Sequence, residues 1–169
     1  MRFQVRRIAA AAAALILTLA ALFGLQRWIF QTQTSAPLKM QLERVAGVRS
    51  VTLDFANSPG VVHVALRRVS DIETTYGRLA GRIEALAPGA ALDIAGTSDA
   101  RLAAAAQDLS FSIAQGLATG QFVAMRQNIL AQGRRAGVVA RVYIDQQNVY
   151  LALYDKTHAD YFVYPRGAK

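Results

Sequence analysis

The sequence predicts an α+β protein in which an N-terminal transmembrane helix precedes an α-β-β-α-β module and an α-α-β-β-β module. Three observations indicate this class. An uncharged apolar stretch near the N-terminus is long enough to cross a bilayer. Farther along, apolar residues recur at helical spacing in several segments. Between those segments, apolar and polar residues alternate in short runs that are typical of half-buried strands.

The predicted transmembrane helix lies between Arg7 and Arg27, which bracket 19 residues without charge. At about 1.5 Å per residue, a helix of this length spans roughly 28 Å, close to the thickness of the hydrocarbon core. Arg6, Arg7 and Arg27 flank the span, and Trp28 lies where an interfacial aromatic anchor belongs. Because more arginines precede the span than follow it, the N-terminus is expected in the cytoplasm. A cleaved signal peptide is the alternative, and it too places the folded region outside the cytoplasm.

The predicted organisation of the chain follows from this span and from the changes in hydrophobic pattern after it. The polar stretch QTQTSAP (31–37) has no hydrophobic period and predicts a linker to the first helix. The parts are a cytoplasmic N-terminus (1–7), a transmembrane anchor (8–28), a linker (29–36), an α-β-β-α-β module (37–97), and two helices with a three-stranded antiparallel sheet (98–169).

The first module is predicted to begin with a helix from Pro37 to Gly47 and to continue as a β-hairpin. Alternating apolar residues on both sides of the sequence NSPG indicate two strands with one buried face. Pairing Ala56 with Val61 keeps the apolar residues on one side, and it sets Asp54 opposite His63. We therefore expect a cross-strand Asp54–His63 pair on the polar face, with little energetic value if it is exposed.

A second helix and a short strand complete the first module. Ser70 and Glu73 form a predicted capping box at the start of the helix. Pro88 and Gly89 end that helix, and the sequence ALDIA (91–95) predicts a strand. The residues expected on the buried face of the helix are Ile72, Tyr76, Leu79, Ile83 and Leu86.

This order of elements, with the run from Leu42 to Leu53 (L-x-x-V-x-G-V-x-S-V-x-L) and the helix SDIETTYGRLAGRIEAL, resembles two families of small modules. It resembles the ring-building motifs of bacterial membrane and envelope assembly proteins, and it is similar to BON domains of the bacterial envelope. The resemblance covers residues 37–95. It implies a non-catalytic module that makes oligomer contacts or binds envelope partners.

The second module is predicted to hold two helices before its three strands. The residues expected on the buried face of the first helix are Leu102, Ala106, Leu109, Ile113 and Leu117. Thr97, Ser98 and Asp99 form an N-cap cluster, and Gly120 separates the helices. The strands are expected to pair Ile144 with Val149 and Tyr154 with Tyr161. The strand residues expected to face the helices are Val142, Ile144, Leu151, Leu153, Phe162 and Tyr164.

Four tyrosines are the candidate contact residues of this second sheet. In the expected register, Tyr143, Tyr150, Tyr154 and Tyr161 share its outer face. Tyrosine is enriched at protein interfaces, so this face could bind a partner. Cross-strand aromatic pairs also stabilise sheets by roughly 0.2–1 kcal/mol each, and this is the purely structural interpretation.

Catalytic, metal-ligating and cofactor-binding residues are not assigned. The chain lacks cysteine, which excludes thiolate chemistry. Asp155, His158 and Asp160 fall in one polar turn, and no fourth metal ligand is evident beside them. The net charge of +8 comes partly from the arginines around the anchor, and the rest of the chain has no dense basic stripe of the kind that binds nucleic acid.

The sequence therefore predicts a bacterial single-pass protein of the cell membrane, with a non-enzymatic extracytoplasmic domain of the assembly or adaptor type. The expected partners are the lipid bilayer, other membrane or envelope proteins, and a second copy of the chain. The alternative is a membrane-tethered sensor or small-molecule-binding module, which would require an apolar pocket with a few convergent polar groups. A tethered hydrolase is a third class, but no recognisable catalytic constellation supports it.

Overall fold

A computed structural model describes residues 35–56 and 59–167. Contacts along the chain divide it into two compact units, Met1–Leu38 and Lys39–Lys169. The described part is α+β, and its order of elements, α-β-β-α-β followed by α-α-β-β-β, is the predicted one. The elements are α1 (Ala36–Glu43), β1 (Val48–Asp54), β2 (Val61–Leu66), α2 (Ile72–Leu86), β3 (Ala91–Ala95), α3 (Ala100–Thr119), α4 (Phe122–Arg135), β4 (Val139–Ile144), β5 (Asn148–Tyr154) and β6 (Ala159–Pro165).

Within residues 35–56 and 59–167, no helix combines the length and the apolar character that a membrane crossing requires. The predicted anchor (8–28) and its flanking residues Arg6, Arg7, Arg27 and Trp28 lie outside these ranges.

The first sheet has the order β1-β2-β3, with β1 antiparallel and β3 parallel to β2. The predicted pairing of Asp54 with His63 is wrong by two residues, because Asp54 pairs with Val61 and Thr52 pairs with His63. The ring of Phe55 lies over Gly60 and occupies the space that a Cβ would need there. Phe55 therefore belongs to the loop, and the hairpin closes at Asp54. A shift of two residues keeps the same side chains on the buried face.

Helix α2 begins one residue later than the capping box predicts. Its N-cap is Asp71, whose carboxylate accepts a hydrogen bond from the backbone N–H of Thr74 at 3.0 Å. The Thr74 hydroxyl donates a second bond to the same carboxylate at 2.7 Å. These bonds lower the pKa of Asp71, so the cap is a carboxylate at neutral pH. Of the predicted buried stripe, Ile72, Leu79 and Ile83 are buried.

The second sheet is antiparallel in the order β4-β5-β6, and the helices α3 and α4 pack on one of its faces. The predicted pair Ile144–Val149 is confirmed. The predicted pair Tyr154–Tyr161 is wrong, since Tyr154 pairs with Ala159. The residues expected to face the helices all belong to the core of this sheet or pack against it; they are Val142, Ile144, Leu151, Leu153, Phe162 and Tyr164.

The two sheets meet inside the unit Lys39–Lys169. Just after β3, the N–H of Thr97 donates to the carbonyl of Ala159 in β6 at 2.7 Å, and this forms an isolated antiparallel bridge. The N–H of Gly96 donates to the carboxylate of Asp160 at 3.2 Å. A Cβ at Gly96 would overlap the carbonyl of Ala159, so only glycine permits so close an approach.

Candidate functional site

The four predicted contact tyrosines do lie on one face of the second sheet, but that face is inside the protein. The exposed fractions are 2% for Tyr150, 3% for Tyr154 and 1% for Tyr161, and Tyr143 is partly buried. The expected outer contact face is therefore corrected to an internal one. Alternation along the strands places the four side chains together, but it does not specify what covers them.

The loop between β2 and α2 (67–71) covers this tyrosine face. The N–H of Val69 donates to the Tyr161 hydroxyl at 2.7 Å, and that hydroxyl donates to the carbonyl of Arg67 at 3.1 Å. The Tyr154 hydroxyl donates to the carbonyl of Val69 at 2.8 Å. The Tyr143 hydroxyl donates to the carbonyl of Ser70 at 3.2 Å. The phenol groups thus provide hydrogen bonds that this loop cannot obtain from a sheet or a helix.

The remaining tyrosine of the set, Tyr150, belongs to a separate cluster. Its hydroxyl donates to the carboxylate of Asp145 at 2.6 Å, and its ring meets that of Tyr76 edge-on at a centroid distance of 5.5 Å. Burial, together with the bond to Asp145, raises the pKa of Tyr150 to about 12. Burial also raises the pKa of Tyr154 to about 12. Both phenols are therefore neutral donors at physiological pH.

The polar turn between β5 and β6 contains Asp155 and His158, two of the three residues weighed as metal ligands, and the third, Asp160, lies in β6. Asp160 points away from the turn and accepts from the N–H of Gly96 and of Tyr161. The carboxylate that lies beside Asp155 and His158 belongs instead to Asp99, the N-cap of α3. The His158 Nδ1 atom lies 3.3 Å from Asp155 Oδ2 and 3.5 Å from Asp99 Oδ2.

Asp99 was identified from the sequence only as a cap. No local spacing connects it to the β5–β6 turn, because the bridge between Thr97 and Ala159 brings the two segments together. A long-range contact of this kind leaves no trace in a single sequence.

The other histidine, His63, lies on the first sheet. Its Nδ1 is 2.8 Å from Asp93 Oδ2, because the parallel pairing of β2 with β3 sets these residues side by side. Its partner is thus Asp93 and not the predicted Asp54. Both side chains are about half exposed, so the pair adds little to stability.

A polar concavity of about 320 Å³ lies at the N-terminal end of α2. The side chains and backbone around it are largely polar, with two arginines, a serine and two threonines. The lining residues are Ala46, Gly47, Arg68, Val69, Ser70, Asp71, Thr74, Thr75 and Arg78. Such a site differs from the apolar pocket that the sensor interpretation requires.

Among the described residues, the helical hairpin α3–α4 carries the two most exposed of the large apolar side chains. Phe111 is 79% exposed and Val123 is 75% exposed. The opposite side of α3 is buried through Leu102, Leu109 and Ile113. Phe111 was not predicted as a contact residue, although its position off the predicted buried face of α3 was a usable signal.

Comparisons with known proteins identified no relative of this chain. No protein-family model, no curated protein sequence and no solved structure matches the chain.

Proposed function

We propose that the chain is a bacterial single-pass membrane protein whose extracytoplasmic domain binds another protein through the hairpin α3–α4. It acts without catalysis, as an assembly or adaptor component. The N-terminal pattern of arginines around an uncharged apolar stretch supports the anchor and its orientation. The α-β-β-α-β order of residues 36–95 supports a relationship to the assembly modules that this region resembles.

The observation that carries the proposal is the exposure of Phe111. An aromatic side chain that is 79% exposed contributes nothing to the core on which α3 packs. Ala104, Ala114 and Ala118 recur around Phe111 at helical spacing and are also exposed. Val123 on α4 is the other strongly exposed apolar side chain of the hairpin, and the exposed polar residues one turn from Phe111 are Gln107, Asp108 and Gln115.

Few charges lie near Phe111, and this favours a protein as the partner: Asp108, one turn before it, is the charged neighbour. No charged residue stands between Asp108 and Arg126. Depletion of charge and enrichment of aromatic residues are the compositional marks of an interface core. Binding to an anionic lipid surface would instead call for lysine or arginine beside the apolar residues.

The titratable groups with shifted pKa values support a non-catalytic role. Hydrogen bonds from the backbone of His158 and Thr157 lower the pKa of Asp155, and they do so by closing a turn. The raised pKa values of Tyr150 and Tyr154 come from their burial on the tyrosine face. These three shifts thus have local structural causes, and the lowered pKa of Asp71, which lines the concavity beside α2, comes from its role as a helix cap.

Photo-crosslinking in native membranes tests the proposed interface. A photoreactive amino acid replaces Phe111 in one strain and Glu84, an exposed residue of α2, in a matched control strain. We expect a discrete protein adduct from position 111 and none from position 84. Val123→Ser should weaken the adduct at 111 without changing the thermal midpoint of the purified chain. Equal adducts at both positions, or adducts only with lipid at position 111, would contradict the proposal.

A second candidate function is the binding of a small molecule in the polar concavity beside α2, which is not the apolar pocket of the sensor interpretation. Arg68 and Arg78 outnumber the Asp71 carboxylate in its lining, so an anionic small molecule is the fitting ligand class. A ligand-dependent rise in thermal midpoint that is lost in Arg78→Ala, with the crosslink at Phe111 absent, would favour this function over the adaptor role.

A further inference from the structure

Three side chains from two separate segments converge at the junction between the two sheets. His158 and Asp155 come from the turn between β5 and β6, and Asp99 comes from the start of α3. One donor atom from each residue lies within 4.8 Å of the other two. Imidazole and carboxylate donors in this combination are typical ligands of Zn²⁺ and the related divalent transition metals.

Two of the three ligand–ligand distances fit the edges of a tetrahedral site, and the third, between the two carboxylates, is within 4.8 Å. Ligands at about 2.0–2.2 Å from a tetrahedral zinc ion are separated from one another by about 3.3–3.6 Å. The His158 Nδ1 atom is 3.3 Å from Asp155 Oδ2 and 3.5 Å from Asp99 Oδ2. A simple ion pair between imidazolium and carboxylate is shorter, at about 2.7–2.9 Å. His63 and Asp93 show that shorter distance, 2.8 Å, within the same protein.

The second oxygen of each carboxylate is already held by the backbone. Asp99 Oδ1 accepts from the N–H of Leu102 at 2.8 Å. Asp155 Oδ1 accepts from the N–H of Thr157 at 2.7 Å and of His158 at 2.6 Å. These bonds orient both Oδ2 atoms toward Nδ1, as outer-shell hydrogen bonds do in metal sites.

The imidazole is also compatible with a ligand at Nδ1. A metal ion needs the single lone pair of this atom, so the Thr157 hydroxyl, which lies 2.9 Å from Nδ1, would have to turn away from it when an ion binds. The exposed fractions of the side chains are 35% for His158, 34% for Asp99 and 13% for Asp155. The group is thus accessible to an ion and leaves room for a water molecule as the fourth ligand.

We propose that Asp99, Asp155 and His158 form a site for one divalent transition metal ion of the Zn²⁺ class, with water as the fourth ligand. The ion would link the start of α3 to the β5–β6 turn, beside the bridge between Thr97 and Ala159. This site is separate from the surface around Phe111, and the proposal does not depend on the adaptor function.

The chain offers a matched control for the test, because it contains only two histidines. His63 has a single aspartate partner, and in the described residues it does not belong to a group of three ligating side chains. The experiment uses the full chain without a histidine tag, in detergent micelles, with Zn²⁺ as the probe. Calorimetry measures the stoichiometry and the affinity, and NMR follows the two imidazole signals. Co²⁺ absorption reports the coordination geometry.

We expect one Zn²⁺ per chain and a shift of the His158 signal alone. Asp155→Asn and His158→Gln should each weaken binding at least tenfold, whereas His63→Gln should leave it unchanged. Asp99→Asn retains the capping oxygen and should weaken binding similarly while leaving the thermal midpoint in chelator unaltered. The proposal is overturned if binding is not saturable, if His63→Gln weakens it as much as His158→Gln, or if Asp99→Asn binds as tightly as the unmodified chain.

Discussion

Replacing Tyr161 with phenylalanine should destabilise the domain although the ring and its packing remain. The Tyr161 hydroxyl accepts from the N–H of Val69 at 2.7 Å and donates to the carbonyl of Arg67 at 3.1 Å. Val69 is 8% exposed and Tyr161 is 1% exposed, so water has little access to the N–H. The substitution therefore leaves a buried donor without an acceptor.

The expected loss follows from this orphaned donor. An unsatisfied buried group costs about 1–3 kcal/mol in the free energy of unfolding, so we expect about 2 kcal/mol for Tyr161→Phe. Tyr143→Phe is the matched control, since Tyr143 is partly buried and its bond to Ser70 is longer, at 3.2 Å. For Tyr143→Phe we expect the free energy of unfolding to fall by about 0.5 kcal/mol, the lower end of the net contribution of one hydrogen bond. For a folded unit of roughly 130 residues, 2 kcal/mol corresponds to a fall of about 7 °C in thermal midpoint.

Circular dichroism of the purified chain and of both variants, recorded against temperature in one detergent, measures this difference. Hydrogen exchange at the Val69 amide adds a local readout and should accelerate only in Tyr161→Phe. Equal midpoints for the two variants would refute the reasoning, because they would mean that the Val69 donor finds another acceptor. An unchanged hydrogen-exchange rate at the Val69 amide in Tyr161→Phe would refute the reasoning for the same reason.

Three further predictions concern other parts of the molecule. Tyr150 and Tyr154 have folded pKa values of about 12 against an ordinary value of 10.0, so their contribution to stability is complete below pH 10 and is lost as the pH rises toward 12. Phenolate absorbance should therefore appear together with unfolding, and early titration of both groups in the folded state would contradict this. Gly96→Ala should lower the free energy of unfolding by about 1–3 kcal/mol, because its Cβ overlaps the backbone of β6. Gly77→Ala, whose Cβ meets nothing within 4 Å, should leave stability unchanged or raise it in the same chemical-denaturation series. Lys156→Cys, the sole cysteine of that variant, should react with an impermeant maleimide in intact cells, whereas labelling only after lysis would contradict an extracytoplasmic domain.

The sequence predicted the order of elements and the core faces because both depend on local periodicity. The stripe through Leu102, Leu109 and Ile113 is read at helical spacing and is buried as expected. Strand register was harder to predict: the β4–β5 hairpin has the expected register, but the β1–β2 and β5–β6 hairpins each closed two residues from the expected pair. In the second sheet, the turn from Asp155 to His158 closes through the Asp155 carboxylate, so Tyr154 pairs with Ala159.

The candidate metal group marks a stronger limit on prediction from sequence. Asp155 and His158 lie three positions apart and were recognised together, but their third companion was taken to be Asp160. The carboxylate of Asp160 accepts a hydrogen bond from the N–H of Gly96 instead. The neighbouring bridge between Thr97 and Ala159 brings the start of α3, and with it Asp99, alongside the β5–β6 turn. Only the packing of the two sheets against each other decides which aspartate faces the histidine.

The tyrosines and Phe111 show how an interface differs from a core within one chain. A strand tyrosine has an apolar ring that suits burial and a hydroxyl that must find a partner, so the residue serves equally well inside a protein or between two proteins. In this fold the hydroxyls of Tyr154 and Tyr161 bond to the backbone of residues 67–69, so no donor is left for a partner protein. Phe111 has no polar group to satisfy and lies on the solvent side of α3. Because its exposure is unfavourable in the isolated domain and would be relieved by docking, the binding surface is better sought on the hairpin α3–α4 than on the sheet.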